Sequence, residues 1–564
     1  MKKFYLSILL LSAILNAQSW QWGKRGGSND NVNNGPEKIN KILTDGQGNV
    51  YAISPVGVSG LDVDGHEKEA YSTPGSTVGQ DQMIVSFSCD GTYRWSKVFG
   101  GWGNDTSSGM TLDGEGNVYV SANFGLTYTG HPANQIDEDY IFPQSESNEL
   151  TDKQTIYLFK YDSNGNLQWV VTPQPTDVTI GGIGSGYTFG LETDAAGNSW
   201  WWISLNPGVY ANGAYTVTTA GYQILKYDAG GNFIGGFPID MQFGGGIGAK
   251  MRRNPVSGTI YFIGSAEPFV GTTATFGGQS VTNQLYLAAF DAQGNFLWKK
   301  ESSTNSISAS ILDCTLDEDG SIYVTGTGRQ NMAFDGHIFT TAAGNSFPYI
   351  MKLNANGDLI WATNCTSVTA TCGGYGITKG AITGNYGNMT WDGHSISGSG
   401  QGYDVFFARF DPDNGQIIGL DGLPGDTGYV DYGTAVANDP YGNFYVGGYF
   451  GHFLYANGPT PMVNEGPESD FFIAKFGTAN CSLGTADNVK PEIKAWPNPV
   501  AKILNLENLD VDCTYELYDA NGKRVGEGKL AENRKIDMER YAPGLYLLRL
   551  QTATDEMTVK VIKE

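Results

Sequence analysis

The chain has 564 residues, with 34 Lys and Arg against 58 Asp and Glu, and a formal net charge of −24 at pH 7. The acidic excess lies in the body of the chain, while residues 490–564 are near neutral, and an acidic body excludes a nucleic-acid-binding protein because phosphate contacts need Lys and Arg. No segment after the N-terminus approaches the roughly 20 apolar residues of a membrane helix, so the sequence predicts no transmembrane segment.

The first residues are typical of a secretory signal peptide. Lys2 and Lys3 precede an apolar stretch at 4–15 that is too short to cross a bilayer, and Ala17 provides a small residue for cleavage. The sequence therefore predicts a signal peptide at 1–17 and a mature chain that begins at Gln18. No Cys follows the apolar stretch, which argues against a lipoprotein anchor.

An internal repeat dominates residues 18–480. Its first half is an Asp-x-x-Gly-Asn turn that leads into an aromatic, β-branched strand. Glycine supplies the positive φ of a tight hairpin turn and the Asp side chain caps it, so each copy predicts a β-hairpin. The copies, of which the fourth is the most diverged, start at Asp45, Asp113, Asp194, Asn254, Asp317 and Asp439.

The second half of the repeat is another hairpin, in which an Asp-x-x-Gly turn joins two strands and a Trp lies in the second of them. Two hairpins make a four-stranded unit, and the last unit lacks its fourth strand. Trp20-Gln21-Trp22, directly after the signal peptide, resembles that missing strand. The predicted third strands, one for each unit, lie at 83–87, 156–161, 223–227, 286–290, 348–353, 405–410 and 471–476.

These repeats predict an all-β fold, a seven-bladed β-propeller over 18–480. An N-terminal strand that completes the last sheet closes such a ring without an exposed edge. The pattern resembles the bacterial outer-surface propeller repeats of the SBBP type. This resemblance implies the fold, but it gives little information about the ligand. The recurrent Trp residues are expected to pack between neighbouring sheets as structural residues and not as a cofactor platform.

Two acidic connections interrupt the regular unit, at 57–80 and 125–153. Each joins the second strand of its unit to the third, so in a propeller both emerge on one face, and long loops on a rigid scaffold commonly carry function. We expect a binding surface for an extracellular glycan or protein here, with solvated loops that bind nothing as the alternative. The candidate binding residues are Asp62, Asp64, Asp137, Glu138, Asp139 and Tyr140.

The six Cys residues can form disulfides, because exported proteins pass through an oxidising compartment. Cys365 and Cys372 lie close in the sequence and flank a short loop. We expect a local disulfide between them, with independent thiols as the alternative. The Cys and His spacing predicts no zinc site.

Short acidic turns with Gly offer oxygen ligands for calcium, for example after Asp162, Asp317 and Asp411. None has the 12-residue loop with a closing Glu that defines an EF-hand, and a plain hairpin turn needs the same residues. The sequence predicts no cofactor and no defined metal site, and leaves a structural calcium ion open.

The sequence lacks a Ser nucleophile elbow, an HExxH motif and a phosphate-binding loop. We interpret the body as a non-catalytic binding or adhesion module. The alternative is a secreted hydrolase or lyase that acts on a polysaccharide or glycan through a central funnel, since a glycosidase needs only two carboxylates roughly 5–10 Å apart. Carboxylates, Arg or His that converge in a central funnel would favour the enzyme.

After a predicted linker at 481–490, short strands predict a small immunoglobulin-like β-sandwich at 491–564. Its motifs are Ala-Trp-Pro-Asn-Pro-Val at 495–500, Leu-Tyr-Asp-Ala-Asn-Gly-Lys at 517–523, Ala-Pro-Gly-Leu-Tyr-Leu-Leu at 542–548 and a terminal Val-Lys-Val-Ile-Lys-Glu. This succession closely resembles the type A C-terminal sorting domain of type IX secretion substrates. An ordinary sandwich module of an adhesin is the alternative.

The resemblance implies a protein that is secreted or held at the outer cell surface. It also implies that the type IX secretion machinery and its sorting protease are partners, and that the protease cleaves between positions 480 and 495. The implied sorting signal contains Pro497, Asn498, Pro499, Gly544, Tyr546 and Lys563.

Overall fold

In a computed structural model of the chain, the described residues form β-strands joined by turns, with a 3₁₀ turn at Ala211–Gly213, so the all-β prediction is confirmed. Within the described residues no helix is long and apolar enough to span a membrane. The chain divides into two compact units, Met1–Cys481 and Ser482–Glu564. The predicted signal peptide and most of the predicted linker lie outside the residues that the structure describes, which are 18–29, 36–72, 79–125, 130–142, 155–174, 186–243, 248–266, 274–303, 309–341, 345–369, 371–400, 402–455, 461–464, 466, 468–478, 481, 494–507, 513–519, 522–530, 534–551 and 556–564.

The described part of the first unit contains seven antiparallel sheets, each built on four main strands and numbered here in chain order; two of them are extended to six strands. Sheet 1 contains Lys41–Thr44, Val50–Val56, Asp81–Phe87 and Tyr93–Gly100, and sheet 2 contains Thr106–Leu112, Val118–Asn123, Ile156–Tyr161 and Leu167–Val171. Sheet 3 contains Tyr187–Thr193, Ser199–Leu205, Gly221–Tyr227 and Phe233–Pro238, and sheet 4 contains Gly248–Arg253, Ile260–Ser265, Leu285–Phe290 and Phe296–Glu301.

Sheet 5 contains Ser310–Leu316, Ile322–Gly328, Phe347–Leu353 and Leu359–Asn364, and sheet 6 contains Gly373–Thr378, Ala381–Tyr386, Asp404–Phe410 and Ile417–Leu423. Sheet 7 contains Tyr432–Asn438, Phe444–Phe450, Asp470–Gly477 and, as its fourth strand, the N-terminal Ser19–Gly27. The N-terminal strand pairs antiparallel with Asp470–Gly477, so both ends of this unit lie in one sheet. Each of the seven predicted third strands is a strand in the structure.

The repeated Asp turns form because one carboxylate satisfies several donors. Asp45 Oδ1 accepts hydrogen bonds from the backbone N–H groups two and four residues later, both at 2.9 Å. Its Oδ2 accepts from Asn49 Nδ2 at 2.8 Å and from the Tyr51 hydroxyl at 2.9 Å. The same bonds recur after Asp113 and Asp439. The repeat therefore includes the Tyr six residues after the Asp, which anchors the second strand to the turn.

Neighbouring sheets contact each other through the Trp of the fourth strand. Trp95 Nε1 of sheet 1 donates to the Ser163 carbonyl of sheet 2 at 3.0 Å, and equivalent bonds join sheets 2 and 3 and sheets 5 and 6. Trp22 Nε1 of sheet 7 donates to the Cys89 carbonyl of sheet 1, also at 3.0 Å. Sheet 7 thus contacts sheet 1 in the way that sheet 1 contacts sheet 2.

Each sheet of the first unit also carries a short hairpin between its second and third strands, not only the two sheets with acidic connections. We call these the connection hairpins. The first pairs with Ser19–Gly27 of sheet 7 and the second with Tyr93–Gly100 of sheet 1, so both extend the preceding sheet. Extra strands at Met241–Phe243 and Ser367–Val368 pair with the fourth and sixth hairpins. The seven hairpins consist of Asp62–Val63 with His66–Glu67, Gln135–Ile136 with Tyr140–Ile141, Gly208–Tyr210 with Tyr215–Val217, Ala274–Phe276 with Gln279–Ser280, Ala333–Phe334 with His337–Ile338, Asn388–Trp391 with His394–Ser397, and Phe453–Leu454 with Met462–Val463.

The disulfide joins Cys89 to Cys481, with Cα atoms 5.5 Å apart, and not the predicted pair. Cys365 and Cys372 are buried thiols, and Cys365 Sγ lies 3.2 and 3.1 Å from two backbone carbonyl oxygens to which it can donate. The bond spans 392 residues of sequence and ties the end of the first unit to the turn between the third and fourth strands of sheet 1. Proximity in the sequence was the wrong guide here, because this contact depends on the packing of sheet 7 against sheet 1.

The second unit contains two antiparallel sheets. One contains Lys494–Trp496, Ile503–Glu507 and Lys535–Asp537, and the other contains Thr514–Asp519, Arg524–Lys529, Gly544–Gln551 and Glu556–Lys563. Both sheets contribute to one apolar core, in which Leu504, Leu517 and Leu548 are fully buried.

Candidate functional site

The first strands of all seven sheets line one cavity of about 740 Å³. Equivalent residues of neighbouring first strands lie side by side in its wall. Thr44 Oγ1 of sheet 1 donates to the Asn438 carbonyl of sheet 7 at 2.8 Å, and the hydroxyls of Ser108 in sheet 2 and Thr188 in sheet 3 are 2.5 Å apart. The first strand is thus the strand of each sheet that lies at the cavity.

Oppositely charged side chains meet on one side of this cavity. Arg252 of sheet 4 lies 3.7 Å from Glu192 of sheet 3 and 3.5 Å from Asp313 of sheet 5. Lys250 lies 3.3 Å from Asp313, whose carboxylate also accepts a hydrogen bond from the Ile377 N–H at 3.0 Å. Burial raises the pKa of Glu192, although the charge of Arg252 opposes the shift. Both carboxylates are held by cations from sheet 4.

Lys41 of sheet 1 lines the same cavity without such a partner. Among the described residues no carboxylate lies within ion-pair distance of its ammonium group. Burial lowers the pKa of Lys41 to about 8 and the charge of Arg252 contributes, while the negative charges of Glu192 and Asp313 oppose the shift. The pKa of Lys38, three residues earlier, is lowered by burial and by the charge of Lys250. Because an ammonium group away from water is unfavourable without a counter-ion, this part of the cavity favours an anion.

Sequence reasoning missed these residues, although the repeat contains a signal that would have found them. The position four residues before the Asp turn is small in three sheets and charged in three others, and all six of these residues line the cavity. The small residues are Gly109, Gly190 and Ala435, and the charged residues are Lys41, Lys250 and Asp313. Glu192 and Arg252 stand two residues before their turns.

The predicted acidic binding residues lie in two neighbouring connection hairpins. In the first, Asp64 Oδ2 lies 2.6 Å from Lys24 Nζ, and Asp62 accepts a hydrogen bond at 3.3 Å from the backbone N–H three residues later. The two acidic connections meet where the Tyr71 hydroxyl donates to Asp137 at 3.3 Å. The first pair of candidate residues therefore stabilises the hairpin and its contact with the preceding sheet.

In the second hairpin, Lys97 of the preceding sheet neutralises two of the candidate carboxylates. Its Nζ lies 3.1 Å from Asp137 and 2.8 Å from Asp139. Glu138 is exposed, and the Tyr140 ring, 38% exposed, lies edge-on to Phe142 at 4.9 Å. In the described part of the hairpin, Glu138, Asp139 and Tyr140 are exposed, and of these Asp139 is paired with Lys97.

The turns considered for calcium have their carboxylates occupied by protein donors. Asp162 accepts two backbone N–H groups at 2.9 Å and Asn166 Nδ2 at 2.8 Å. Asp411 likewise accepts a backbone N–H at 2.9 Å and a side-chain amide at 2.8 Å. Among the residues that the structure describes, no group of three or more His, Cys, Asp or Glu side chains is arranged to hold a metal ion.

In the second unit, the Pro497-Asn498-Pro499 segment contacts the last strand. Asn498 Nδ2 donates to the Lys560 carbonyl and its Oδ1 accepts from the Ile562 N–H, both at 2.8 Å. The two Pro residues beside it are exposed. A single amide side chain thus holds this exposed segment against the C-terminal strand.

Of the other predicted sorting residues, Lys563 lies in the last strand itself, and Gly544 and Tyr546 lie in the strand that pairs with its other edge. Gly544 pairs with Lys563 at the start of the Gly544–Gln551 strand. Tyr546 is 7% exposed, and its hydroxyl donates at 2.8 Å to the backbone carbonyl four residues earlier. The structure therefore brings all six predicted sorting residues together around Glu556–Lys563.

Residues 494–564 match the family model of the secretion system C-terminal sorting domain. The chain is accordingly a protein that the type IX secretion system exports to the cell surface, as the sequence resemblance implied, and its C-terminal domain interacts with that machinery. No curated protein sequence matches the chain.

Solved structures similar to the chain share little of its sequence. A protein of unknown function from Dyadobacter fermentans is 10% identical with a TM-score of 0.34, over 81% of this chain and 98% of the other. Quinohemoprotein alcohol dehydrogenase from Comamonas testosteroni is 10% identical with a TM-score of 0.32, over 86% and 79%. PorZ, a surface component of the type IX secretion system of Porphyromonas gingivalis, is 10% identical with a TM-score of 0.15, over 96% and 100%. At these scores the similarities carry no argument about function.

Proposed function

We propose that the first unit is a closed seven-bladed β-propeller of the SBBP-like kind, displayed at the cell surface, which binds an extracellular ligand in its central cavity without catalysis. Three features support the closed ring. The N-terminal strand completes sheet 7, the Trp22 bond joins sheet 7 to sheet 1, and the first strands of all seven sheets line one cavity. A ring without a free edge suits an exported protein, because exposed strand edges promote aggregation.

The observation that carries the binding assignment is the unpaired, half-buried Lys41 in the wall of this cavity. A cavity of about 740 Å³ is of the size that takes small ligands, and a few convergent polar groups on a rigid wall give such sites their specificity. Glu192 and Asp313 act on Lys41 only from beyond ion-pair distance, and an anionic group at Lys41 would supply a direct counter-ion. We therefore assign an anionic ligand to the cavity.

The cavity contains carboxylates and Arg, the residue types that we expected in an enzyme. Their arrangement, however, favours binding over hydrolysis. A glycosidase needs one carboxyl group to protonate the leaving group and a second to attack or to activate water. Glu192 and Asp313 are instead both paired with Arg252. Neither is left as a free acid or base.

A polysaccharide lyase is the second candidate function, and the pKa of Lys41 favours it. A side chain with a pKa of about 8 is suited to remove a proton near neutral pH. A lyase produces an unsaturated sugar that absorbs ultraviolet light. Absorbance that rises when the protein is mixed with an acidic polysaccharide, and that is lost in Lys41→Met, would establish this function in place of binding.

We also propose how the exported chain is organised and processed. Residues 1–17 are removed as a signal peptide, 481–490 form the linker, and the sorting protease cleaves before an immunoglobulin-like sorting domain at 491–564. Cleavage after Cys481 would keep the Cys89–Cys481 disulfide within the released body. Intact mass of the native body tests this, and we expect a chain from Gln18 to a position between 481 and 495.

The exposed Glu138 and Tyr140 of the second connection hairpin form an alternative binding surface, and one experiment separates it from the cavity. The protein without its signal peptide is screened on an array of surface glycans, and the affinity of each hit is measured for two variants. Lys41→Met should weaken binding about tenfold or more, and a Glu138→Gln/Tyr140→Ala double variant should bind like the wild type. The reverse result would place the ligand on the hairpin face and overturn the cavity assignment.

A further inference from the structure

Four tyrosines gather beside the cavity at the end where the chain enters the first strands of sheets 6 and 7. The rings of Tyr432 and Tyr449 are stacked, 5.3 Å apart and 7° from parallel. Tyr375 and Tyr403 lie edge-on to Tyr432 at 5.2 and 5.9 Å. All four are partly exposed. We call this group the tyrosine cluster.

The tyrosine cluster adjoins the cavity wall directly. Tyr375 and Tyr432 each lie two residues before a residue that lines the cavity, Ile377 in sheet 6 and Thr434 in sheet 7. Sheet 3 presents further aromatic surface at the same end of its first strand, where Tyr187 is 56% exposed and the cavity-lining Phe189 is 37% exposed. In the proposed ring, sheet 3 lies across the cavity from sheets 6 and 7. Aromatic rings therefore flank this end of the cavity, which we call the entry, on two sides.

Strand register places the tyrosine cluster above Lys41. Asn438 of sheet 7 lies beside Thr44 of sheet 1, so Tyr432, six residues before Asn438, is three residues nearer the entry than Lys41. The β-bulge between Gly433 and Ala435 takes up one of these three residues, so at about 3.3 Å per residue the offset is roughly 7 Å along the strand direction. A disaccharide spans that distance, so one ligand can contact the aromatic rings and the ammonium group together.

We propose that the cavity binds a saccharide that carries carboxylate groups, a uronic acid oligomer, with its sugar rings stacked on the tyrosine cluster and one carboxylate paired with Lys41. The proposal rests on the function proposed above and adds the chemical class of the ligand. Partly exposed aromatic rings present flat apolar faces of the kind that cover the C–H face of a pyranose. The one carboxylate placed at Lys41 brings a single negative charge to its ammonium group, whereas a phosphate group at the same position would bring nearly two.

The test measures binding of oligogalacturonate, of its methyl ester and of a sulfated galactan oligosaccharide of matched length by calorimetry. The proteins are the chain without its signal peptide and its variants Lys41→Met, Tyr432→Ala and Lys300→Met, the last being a control outside the cavity that pairs with Asp358. We expect Lys41→Met to weaken oligogalacturonate binding about 10- to 100-fold and to abolish the preference over the ester. Tyr432→Ala should weaken acid and ester alike, and the control should match the wild type.

The possible failures are distinguishable. Equal affinity of the wild type for the acid and the ester, or an unchanged affinity in Lys41→Met, would overturn the pairing of a carboxylate with Lys41. Equal affinity for the sulfated oligosaccharide would replace the uronic acid by any singly charged saccharide and so also overturn the stated class. If the array yields a ligand that depends on Lys41 but is not a saccharide, this inference is wrong while the proposed cavity function stands. If no array ligand depends on Lys41, both are wrong.

Discussion

Replacing Trp20 by Ala tests whether the N-terminal strand is an integral part of sheet 7. The Trp20 side chain is 5% exposed, and its ring lies 5.7 Å from Phe407 of sheet 6 and 5.3 Å from Phe476 of sheet 7. A buried aromatic side chain removes roughly 150–250 Å² from water, which at 25 cal/mol per Å² corresponds to about 4–6 kcal/mol. Ala retains a small part of this, so we expect the free energy of unfolding to fall by about 3–5 kcal/mol.

The assay is urea unfolding of the chain without its signal peptide, with Gln21→Ala as the matched control. Gln21 is the next residue on the same strand, where its amide donates to the Gly477 carbonyl at 3.0 Å, and we expect its loss to change stability by about 1 kcal/mol or less. Native-state hydrogen exchange should show weakened protection of Asp470–Gly477 in Trp20→Ala. A Trp20→Ala protein no less stable than Gln21→Ala would mean that the ring does not depend on this strand, and the argument for closure would fail.

Three further predictions concern the disulfide, a buried carboxyl group and the sorting domain. Cys89→Ser should destabilise the first unit by about 2–5 kcal/mol, which can be measured by thermal unfolding with and without reductant. Non-reducing peptide mapping of the wild type should recover the peptides of Cys89 and Cys481 linked to each other. Burial raises the pKa of Asp431 to about 7, so the stabilising contribution of its protonated carboxyl group is present at low pH and is lost as pH rises from about 4 to 7. Asp431→Asn should therefore raise the melting temperature more at pH 8 than at pH 5. An equal change at both pH values would contradict the pKa shift. Asn498→Ala removes both side-chain bonds to the last strand, so it should lower the amount of protein that reaches the cell surface, measured by surface labelling, and unchanged surface labelling would refute the role.

The strands and turns could be predicted from the sequence because their causes are local. A carboxylate such as that of Asp45 bonds to groups two, four and six residues later, so the turn, its Asn and its Tyr appear together as one short pattern. The N-terminal strand was found for a related reason, since Trp20-Gln21-Trp22 repeats the pattern of a fourth strand. The Cys89–Cys481 bond has no local cause, because it depends on which sheets become neighbours when the chain is complete.

The candidate site was harder to predict because its residues acquire their roles from neighbouring sheets. Asp64 and Asp137 appeared to be free acids in long loops, yet each is paired with a Lys from the fourth strand of the preceding sheet. Lys41 is the converse case. Its repeat position carries a charged residue in three sheets, but Lys41 becomes a candidate only because Glu192 and Asp313 are already paired with Arg252 and Lys250.

A net charge of −24 is not an obstacle to an anionic ligand in the cavity. Salt screens exposed charges beyond about 8–10 Å, whereas partly buried charges are screened much less. The acidic surface would therefore act on the proposed ligand mainly during its approach, and Lys41 would act on it inside the cavity. The same surface would repel polyanions that do not fit between the aromatic residues at this end of the cavity, and such repulsion contributes to specificity. If the proposal is right, the acidic body and Lys41 together favour a ligand whose negative charge is carried by a shape that the cavity accepts.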